Sequence, residues 1–181
     1  MFHKLLSSPK IITPFLVVAS FFAMVALQLY FEETMMAGSG EAIKIEKQNI
    51  EKMYEPLMLE AKAKGFKPSG KPGLLVNFWA SWCKPCLKEF KSMKKLQGKL
   101  NNVSILGVNQ DDSDTEMNKV IKRRKLEFFS YRDINTKMAD TYGVEEYPYS
   151  VFFCKGKIVE IYKGETDFAS EDIVKKFQTC K

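Results

Sequence analysis

The chain has 181 residues, of which 45% are hydrophobic, and its net charge is +6. This length suits one ordinary globular domain with a short appendage, because domains commonly contain about 100–200 residues. The positive charge is modest, and two of the lysines, Lys4 and Lys10, lie near the N-terminus. The composition therefore does not indicate a nucleic-acid partner.

Residues 11–31 contain no charged side chain and are almost wholly apolar. As a helix they would reach about 30 Å, the thickness of a hydrocarbon core, which predicts a transmembrane anchor. Two lysines precede this segment and Glu32 and Glu33 follow it, so the positive-inside rule places residues 1–10 in the cytoplasm and the rest outside. A cleaved signal peptide is the alternative, but the best cleavage site, at 35–37, lacks an outer small residue.

Residues 32–73 are predicted to form a linker and an amphipathic helix. Between residues 41 and 64, apolar side chains recur at spacings of three and four, with lysine and glutamate between them. This is the period of a helix with one buried face. Gly65 ends the helix, and a loop rich in glycine and proline follows at 68–73.

Residues 74–181 alternate between strand and helix patterns. The continuous apolar runs at 74–79 and 103–109 predict strands covered on both faces. The other predicted elements are helices at 86–100, 115–126 and 135–142, a strand at 128–131, a hairpin of strands at 149–154 and 157–162, and a closing helix around 173–177. This order predicts an α/β fold in which helices flank a central mixed β-sheet.

Two cysteines, Cys83 and Cys86, stand where the first predicted strand meets a helix. Unpaired N–H groups and the helix dipole at that position favour a thiolate, which makes Cys83 the expected nucleophile. Cys86 lies one turn further on and can resolve a mixed disulfide with a partner. The positive charge of Lys84 should stabilise the Cys83 thiolate, and this shifts the pair toward a more oxidising potential.

Other uses of the cysteines remain open. A purely structural disulfide between Cys83 and Cys86 would constrain the unfolded chain little, because its loop is short. A zinc site needs further ligands, but the only histidine is His3. An oxidising compartment would permit a bond between Cys154 and Cys180, although two separate thiols are the simpler expectation.

The sequence of residues 76–86, VNFWASWCKPC, resembles the thioredoxin superfamily, and so does the segment 142–148, which ends in Tyr147-Pro148. The resemblance implies a thioredoxin-like fold and a redox role for the dithiol with its neighbour Trp82. It also implies that Pro148 is cis and faces the dithiol, and that the backbone before it pairs with the substrate chain.

Within that superfamily the chain is most similar to the membrane-anchored TlpA/ResA-like proteins. Asn77 and Gly107 stand where cytoplasmic thioredoxins have a buried aspartate and its lysine partner. Glu89 matches a glutamate that ResA-like proteins use near the dithiol. The likeness covers about 74–177, and before it this chain has a helix where such proteins usually open with a β-hairpin.

Three side chains near the motif have two interpretations each. Glu89 lies on the same side of its helix as Cys86 and could accept the proton of that thiol; alternatively it is an exposed glutamate that balances a neighbouring lysine. Tyr147 and Tyr149 flank Pro148 and could line an apolar groove that binds substrate, or they could be packing residues.

The resemblance implies a thiol-disulfide oxidoreductase that reduces disulfides of protein substrates, as in cytochrome c maturation, with a membrane electron donor. It would be a single-pass protein of a bacterial inner membrane, with its catalytic domain in the periplasm or extracytoplasmic space. No metal is expected, and no cofactor besides the Cys83–Cys86 disulfide. The alternatives are a disulfide oxidase or isomerase, and a copper-binding chaperone, although such copper proteins usually add a histidine.

Overall fold

The computed structural model describes Val18, residues 21–29 and residues 49–181. The chain divides into two units, Met1–Glu46 and Lys47–Lys181. In the first unit, residues 21–29 are helical. The rest of the predicted anchor and the following linker lie outside the described residues. Within the described parts of the chain, no helix has both the length and the apolar character needed to cross a membrane.

The second unit alternates helices and strands largely as predicted. In chain order its elements are α1 (Tyr54–Ala63), β1 (Gly73–Trp79), α2 (Lys84–Lys99), β2 (Val103–Asn109), α3 (Asp114–Arg124), β3 (Phe129–Arg132), a 3₁₀ turn (Ile134–Thr136), α4 (Lys137–Thr141), β4 (Tyr149–Cys154), β5 (Lys157–Lys163) and α5 (Glu171–Gln178). The buried apolar runs predicted β1, β2 and β4 well because each of these three strands is covered on both faces.

The five strands form one mixed sheet in the order β3-β2-β1-β4-β5. Strands β1, β2 and β3 run parallel, while β4 and β5 are antiparallel to their neighbours. The predicted α/β fold with a central mixed sheet is confirmed. Strand β1 lies in the middle, so the carboxyl ends of three parallel strands meet at one edge, where α/β proteins usually place their sites.

Successive residues of β1 point to opposite faces of the sheet and so enter two separate cores. Leu75 and Trp79 pack with Phe90 and Met93 of α2 on one face. On the other face, Val76 and Phe78 lie in a cluster with the buried side of α1. Helix α1 thus belongs to the same packed unit as the sheet, although the sequence alone suggests a boundary at residue 74.

Gly107 of β2 is placed where a side chain would not fit. It pairs in register with Asn77 of β1 and with Ser130 of β3. A Cβ atom at this position would overlap the Ser130 hydroxyl and lie 2.9 Å from the indole nitrogen of Trp79. Cytoplasmic thioredoxins have a lysine at the position of Gly107, as the resemblance implies. The packing in this protein leaves no room for that side chain.

Cys154 and Cys180 form a disulfide, with their Cα atoms 5.6 Å apart. The expectation of two separate thiols is wrong because α5 folds back along the sheet and brings its end to the end of β4. The Phe177 ring of α5 stacks on Phe152 of β4 with ring centroids 3.7 Å apart. The Asn102 amide also donates to the carbonyls of Phe177 and Cys180, at 3.0 and 2.7 Å.

We expect the Cys154→Ser/Cys180→Ser variant to lose about 3 kcal/mol in free energy of unfolding, because the bond closes a loop between residues 26 apart. Urea unfolding of the oxidised proteins measures this difference. Wild type treated with a reductant should approach the variant. Equal free energies for the variant and the oxidised wild type would contradict the assigned bond.

Candidate active site

Cys83 and Cys86 are bonded to each other at the first turn of α2. Cys83 is the N-cap residue, and its sulfur accepts a hydrogen bond from the Cys86 amide at 3.2 Å. Pro85 lies within the first helical turn, where its missing N–H is not needed. The predicted position of Cys83 at a helix N-terminus is confirmed, so the amide and the helix dipole are both available to a thiolate at this sulfur.

The Tyr147–Pro148 peptide bond is cis, as the resemblance implies. The Tyr147 ring meets the Trp82 ring edge to face, with centroids 5.8 Å apart. Trp82 itself is 64% exposed. Because Trp82 precedes Cys83 and Tyr147 precedes Pro148, this contact brings the proline loop beside the dithiol and leaves an aromatic surface next to it.

Glu89 of α2 is buried, with only 2% of its surface exposed. One carboxyl oxygen accepts a hydrogen bond from Asn77 Nδ2 at 2.7 Å, and the other accepts one from the Thr166 amide at 3.0 Å. The interpretation of Glu89 as an exposed side chain is therefore wrong. Lys88 instead forms an exposed ion pair with Glu165, at 3.5 Å.

Burial raises the pKa of Glu89 to about 8. The hydrogen bonds from Thr166 and Asn77 lower the pKa from the value that burial alone would give, and the nearby Glu165 carboxylate raises it. Glu89 also lines a cavity of about 500 Å³ between α2 and the loop after β5. A carboxyl group with a pKa near neutrality and a path to solvent can exchange a proton during catalysis.

A second polar group fixes the backbone just before the dithiol. Asp111, which is 4% exposed, accepts a hydrogen bond from the Ser81 amide at 2.8 Å. Its other carboxyl oxygen accepts one from Asn109 Nδ2 at 3.0 Å. The loop after β2 thereby holds the loop after β1, which explains how a turn at the edge of the sheet can present Cys83 in a defined position.

Comparisons with known proteins all point to the same family. Residues 72–158 match the Thioredoxin-like family. The thiol-disulfide oxidoreductase ResA of Bacillus thuringiensis subsp. konkukian is 34% identical over 122 residues, which cover 65% of this chain and 70% of that protein. The chain belongs to the thioredoxin-like ResA family.

Two further relatives agree with this family. ResA of Halalkalibacterium halodurans is 28% identical over 153 residues, covering 82% of this chain and 80% of the relative. The crystal structure of a Chlorobium tepidum protein assigned as thiol:disulfide interchange protein DsbE has a TM-score of 0.56 and 25% identity, over 62% of this chain and 81% of that one. This ResA-family chain is thus a thiol-disulfide oxidoreductase.

The structure brings most of the predicted site residues of this ResA-family protein together at one edge of the sheet. Lys84 is exposed beside Cys83, so water screens its effect on the thiolate. Tyr147 is half-buried against Trp82. Tyr149 is only 1% exposed and meets Phe78 edge to face at 6.0 Å, which favours the packing interpretation for this tyrosine.

Asp111 and Thr166 are parts of the site that the sequence analysis missed. Asp111 could have been suspected, because an acidic residue just after a buried parallel strand lies at the edge where sites form. Thr166 acts through its backbone amide, so its side-chain type gives no signal. Their roles as supports of Ser81 and Glu89 depend on contacts between residues 30 and 77 positions apart.

We expect the stability of the oxidised protein to depend on pH through Glu89. Below pH 4.5 the carboxyl group is protonated in both states; above it the unfolded chain ionises, while the folded chain holds its proton up to about pH 8. The free energy of unfolding should therefore fall by about 1.4 kcal/mol per pH unit across this window because of Glu89. Urea unfolding at pH 5, 6, 7 and 8 measures the slope.

The matched control is Glu89→Gln, which keeps the shape of the side chain but cannot ionise. Its amide faces two hydrogen-bond donors, so the variant should be less stable than the wild type at pH 5, and residue 89 then contributes nothing to the pH dependence of its stability. Subtracting its pH profile from that of the wild type isolates the contribution of Glu89. Parallel profiles for the two proteins would show that Glu89 has an ordinary pKa.

Proposed function

We propose that this protein reduces disulfides of other exported proteins while its N-terminus holds it at a membrane. The observation that carries the proposal is the buried Glu89 carboxyl group, one helical turn from Cys86 and hydrogen-bonded to neutral donors only. A group that can accept the proton of the resolving thiol is what a dithiol needs in order to complete the reduction of a substrate.

The reaction begins with the Cys83 thiolate, which attacks one sulfur of a substrate disulfide. A mixed disulfide forms, and the other substrate sulfur leaves as a thiolate. The ionised form of Glu89 takes the proton of Cys86, and the resulting thiolate attacks the Cys83 sulfur. The second substrate sulfur then leaves and is protonated. Two electrons have passed to the substrate, and the Cys83–Cys86 disulfide remains.

The substrate chain would bind along the loop that carries cis-Pro148. Its backbone can pair with the extended residues before the proline, as in other cases of strand addition. The exposed Trp82 ring and the half-buried Tyr147 ring offer an apolar surface beside the nucleophile. This arrangement recognises an extended segment around a disulfide rather than one particular side chain.

Membrane attachment and export are proposed from the sequence of the N-terminal segment. An uncharged span at 11–31, with lysines before it and Glu32 and Glu33 after it, is long enough to cross a bilayer and orients the catalytic domain outward. A membrane electron donor would then regenerate the dithiol. The reaction needs no cofactor besides the Cys83–Cys86 disulfide, and cytochrome c maturation is a fitting use.

The Cys86→Ser variant should trap substrates as stable mixed disulfides with Cys83, because no resolving thiol remains. The full-length variant is expressed in a bacterial host. Acid then stops thiol-disulfide exchange, and an alkylating agent blocks the free thiols. Partners are then identified by non-reducing electrophoresis and mass spectrometry.

The control for the trapping experiment is Cys83→Ser/Cys86→Ser, which keeps the fold and the aromatic surface but has no nucleophile. Reductant-sensitive partners should appear with the single variant and disappear with the double variant. If both variants capture the same proteins, the complexes come from another cysteine. A single variant that captures nothing, together with a wild type that does not reduce insulin, would overturn the proposed activity.

The reduction potential separates reduction from the alternative of disulfide oxidation, which the positive charge of Lys84 favours. We expect a value closer to that of thioredoxin, about −270 mV, than to that of DsbA, about −120 mV. Equilibration with glutathione buffers measures it. Lys84→Gln should lower the potential by less than about 30 mV, because the lysine is exposed. A wild-type value near that of DsbA would favour the oxidase.

A further inference from the structure

The loop of residues 164–170, between β5 and α5, connects two parts of the active site. At its start, the Gly164 amide donates a hydrogen bond to the carbonyl of Pro148 at 2.9 Å. Two residues further on, the Thr166 amide donates to Glu89 at 3.0 Å. The same short loop thus contacts both the cis-proline segment and the carboxyl group beside the resolving cysteine.

Ser92 of α2 attaches this loop to the helix. Its hydroxyl lies 2.8 Å from the Glu89 carbonyl and 3.2 Å from the Thr166 carbonyl, and it accepts a hydrogen bond from the Phe168 amide at 3.1 Å. The Phe168 side chain is fully buried and meets the Tyr162 ring at 5.3 Å. The hydroxyl and the buried ring therefore fix the loop at Thr166 and just after it, while the bond from Gly164 to Pro148 fixes it before Thr166.

We propose that Ser92 is a positioning residue, which holds the Thr166 amide against the Glu89 carboxyl group and thereby sets how readily that group gains and loses a proton. The proposal rests on the proposed function in one respect, namely that Glu89 accepts the proton of Cys86. Ser92 itself touches neither the substrate nor a reacting sulfur; it acts only through the loop.

The direction of the effect follows from the charge on the acceptor. A hydrogen bond from a backbone amide stabilises the ionised carboxylate more than the neutral acid, so a weaker bond raises the pKa. The charged groups around Glu89 are Lys88, Lys91 and Lys95 on α2, and Glu165 and Asp167 on the loop. From the strands, the neutral Asn77 side chain donates to Glu89 and to the neutral Ser150 hydroxyl.

The test is a carboxyl titration of the full-length oxidised protein by NMR, with ¹³C-labelled glutamate and assignment by Glu89→Gln. In Ser92→Ala, the pKa of Glu89 should rise by about one unit above the wild-type value, because a hydrogen bond to a charged group is weakened. Ser92→Thr keeps the hydroxyl, so the pKa of Glu89 in this variant should lie close to the wild-type value. Hydrogen exchange of the Thr166 amide should be faster in Ser92→Ala than in wild type.

The matched control is Ser113→Ala, which removes the hydroxyl that caps α3 by accepting from the Glu116 amide at 3.3 Å. This variant loses a hydrogen bond of the same kind on a different helix, α3, and should lower stability without moving the pKa of Glu89. If Ser92→Ala also lowers stability and leaves both the pKa and the Thr166 exchange rate unchanged, Ser92 has only a structural role and the proposal fails.

A different experimental result would contradict the proposed function. If Glu89→Gln reduces insulin with the same pH profile as wild type, Glu89 does not accept the proton of Cys86. The titration in Ser92→Ala uses the oxidised protein without substrate, so it still reports whether Ser92 controls the Glu89 carboxyl group.

Discussion

The hydrogen bond between Asn77 and Glu89 fixes the helix that carries the dithiol to the central strand of the sheet. Burying a carboxyl group is costly unless donors replace the water that it loses. Asn77 on β1 provides one donor, and the loop after β5 provides the other. This requirement limits how α2 can rotate or slide on the sheet, and so defines where Cys83 and Cys86 lie relative to the other loops.

The donors around Glu89 are neutral, and this matters for the chemistry. A buried lysine beside Glu89 would lower the pKa of the carboxyl group, because a nearby positive charge stabilises the ionised form. The group would then stay ionised even well below neutral pH. Gly107, the position next to Asn77 in register, cannot carry a lysine, because Ser130 and Trp79 fill the space above it. Burial raises the pKa of Glu89 to about 8, and the hydrogen bonds from a backbone N–H and an amide side chain do not bring it back to its usual value, so proton transfer in both directions is possible.

The sequence predicted the features that depend on neighbouring residues. The strands were visible as apolar runs, and the dithiol was visible as two cysteines at a strand-to-helix junction. The burial of Glu89 and the bond between Cys154 and Cys180 could not be derived in this way. Both depend on where the loop after β5 and helix α5 return to the sheet, and the pattern of residues within either segment does not encode that placement.

The two disulfides lie at opposite ends of the central strand, and this separation keeps their chemistry apart. Cys154 pairs in register with Gly73 at the start of β1, while Cys83 follows its end. Seven residues of strand rise about 20 Å, far beyond the contact that thiol-disulfide exchange requires. Cys180 is also only 2% exposed. The domain can therefore reduce a substrate through the Cys83–Cys86 dithiol while the Cys154–Cys180 disulfide continues to hold α5 in place.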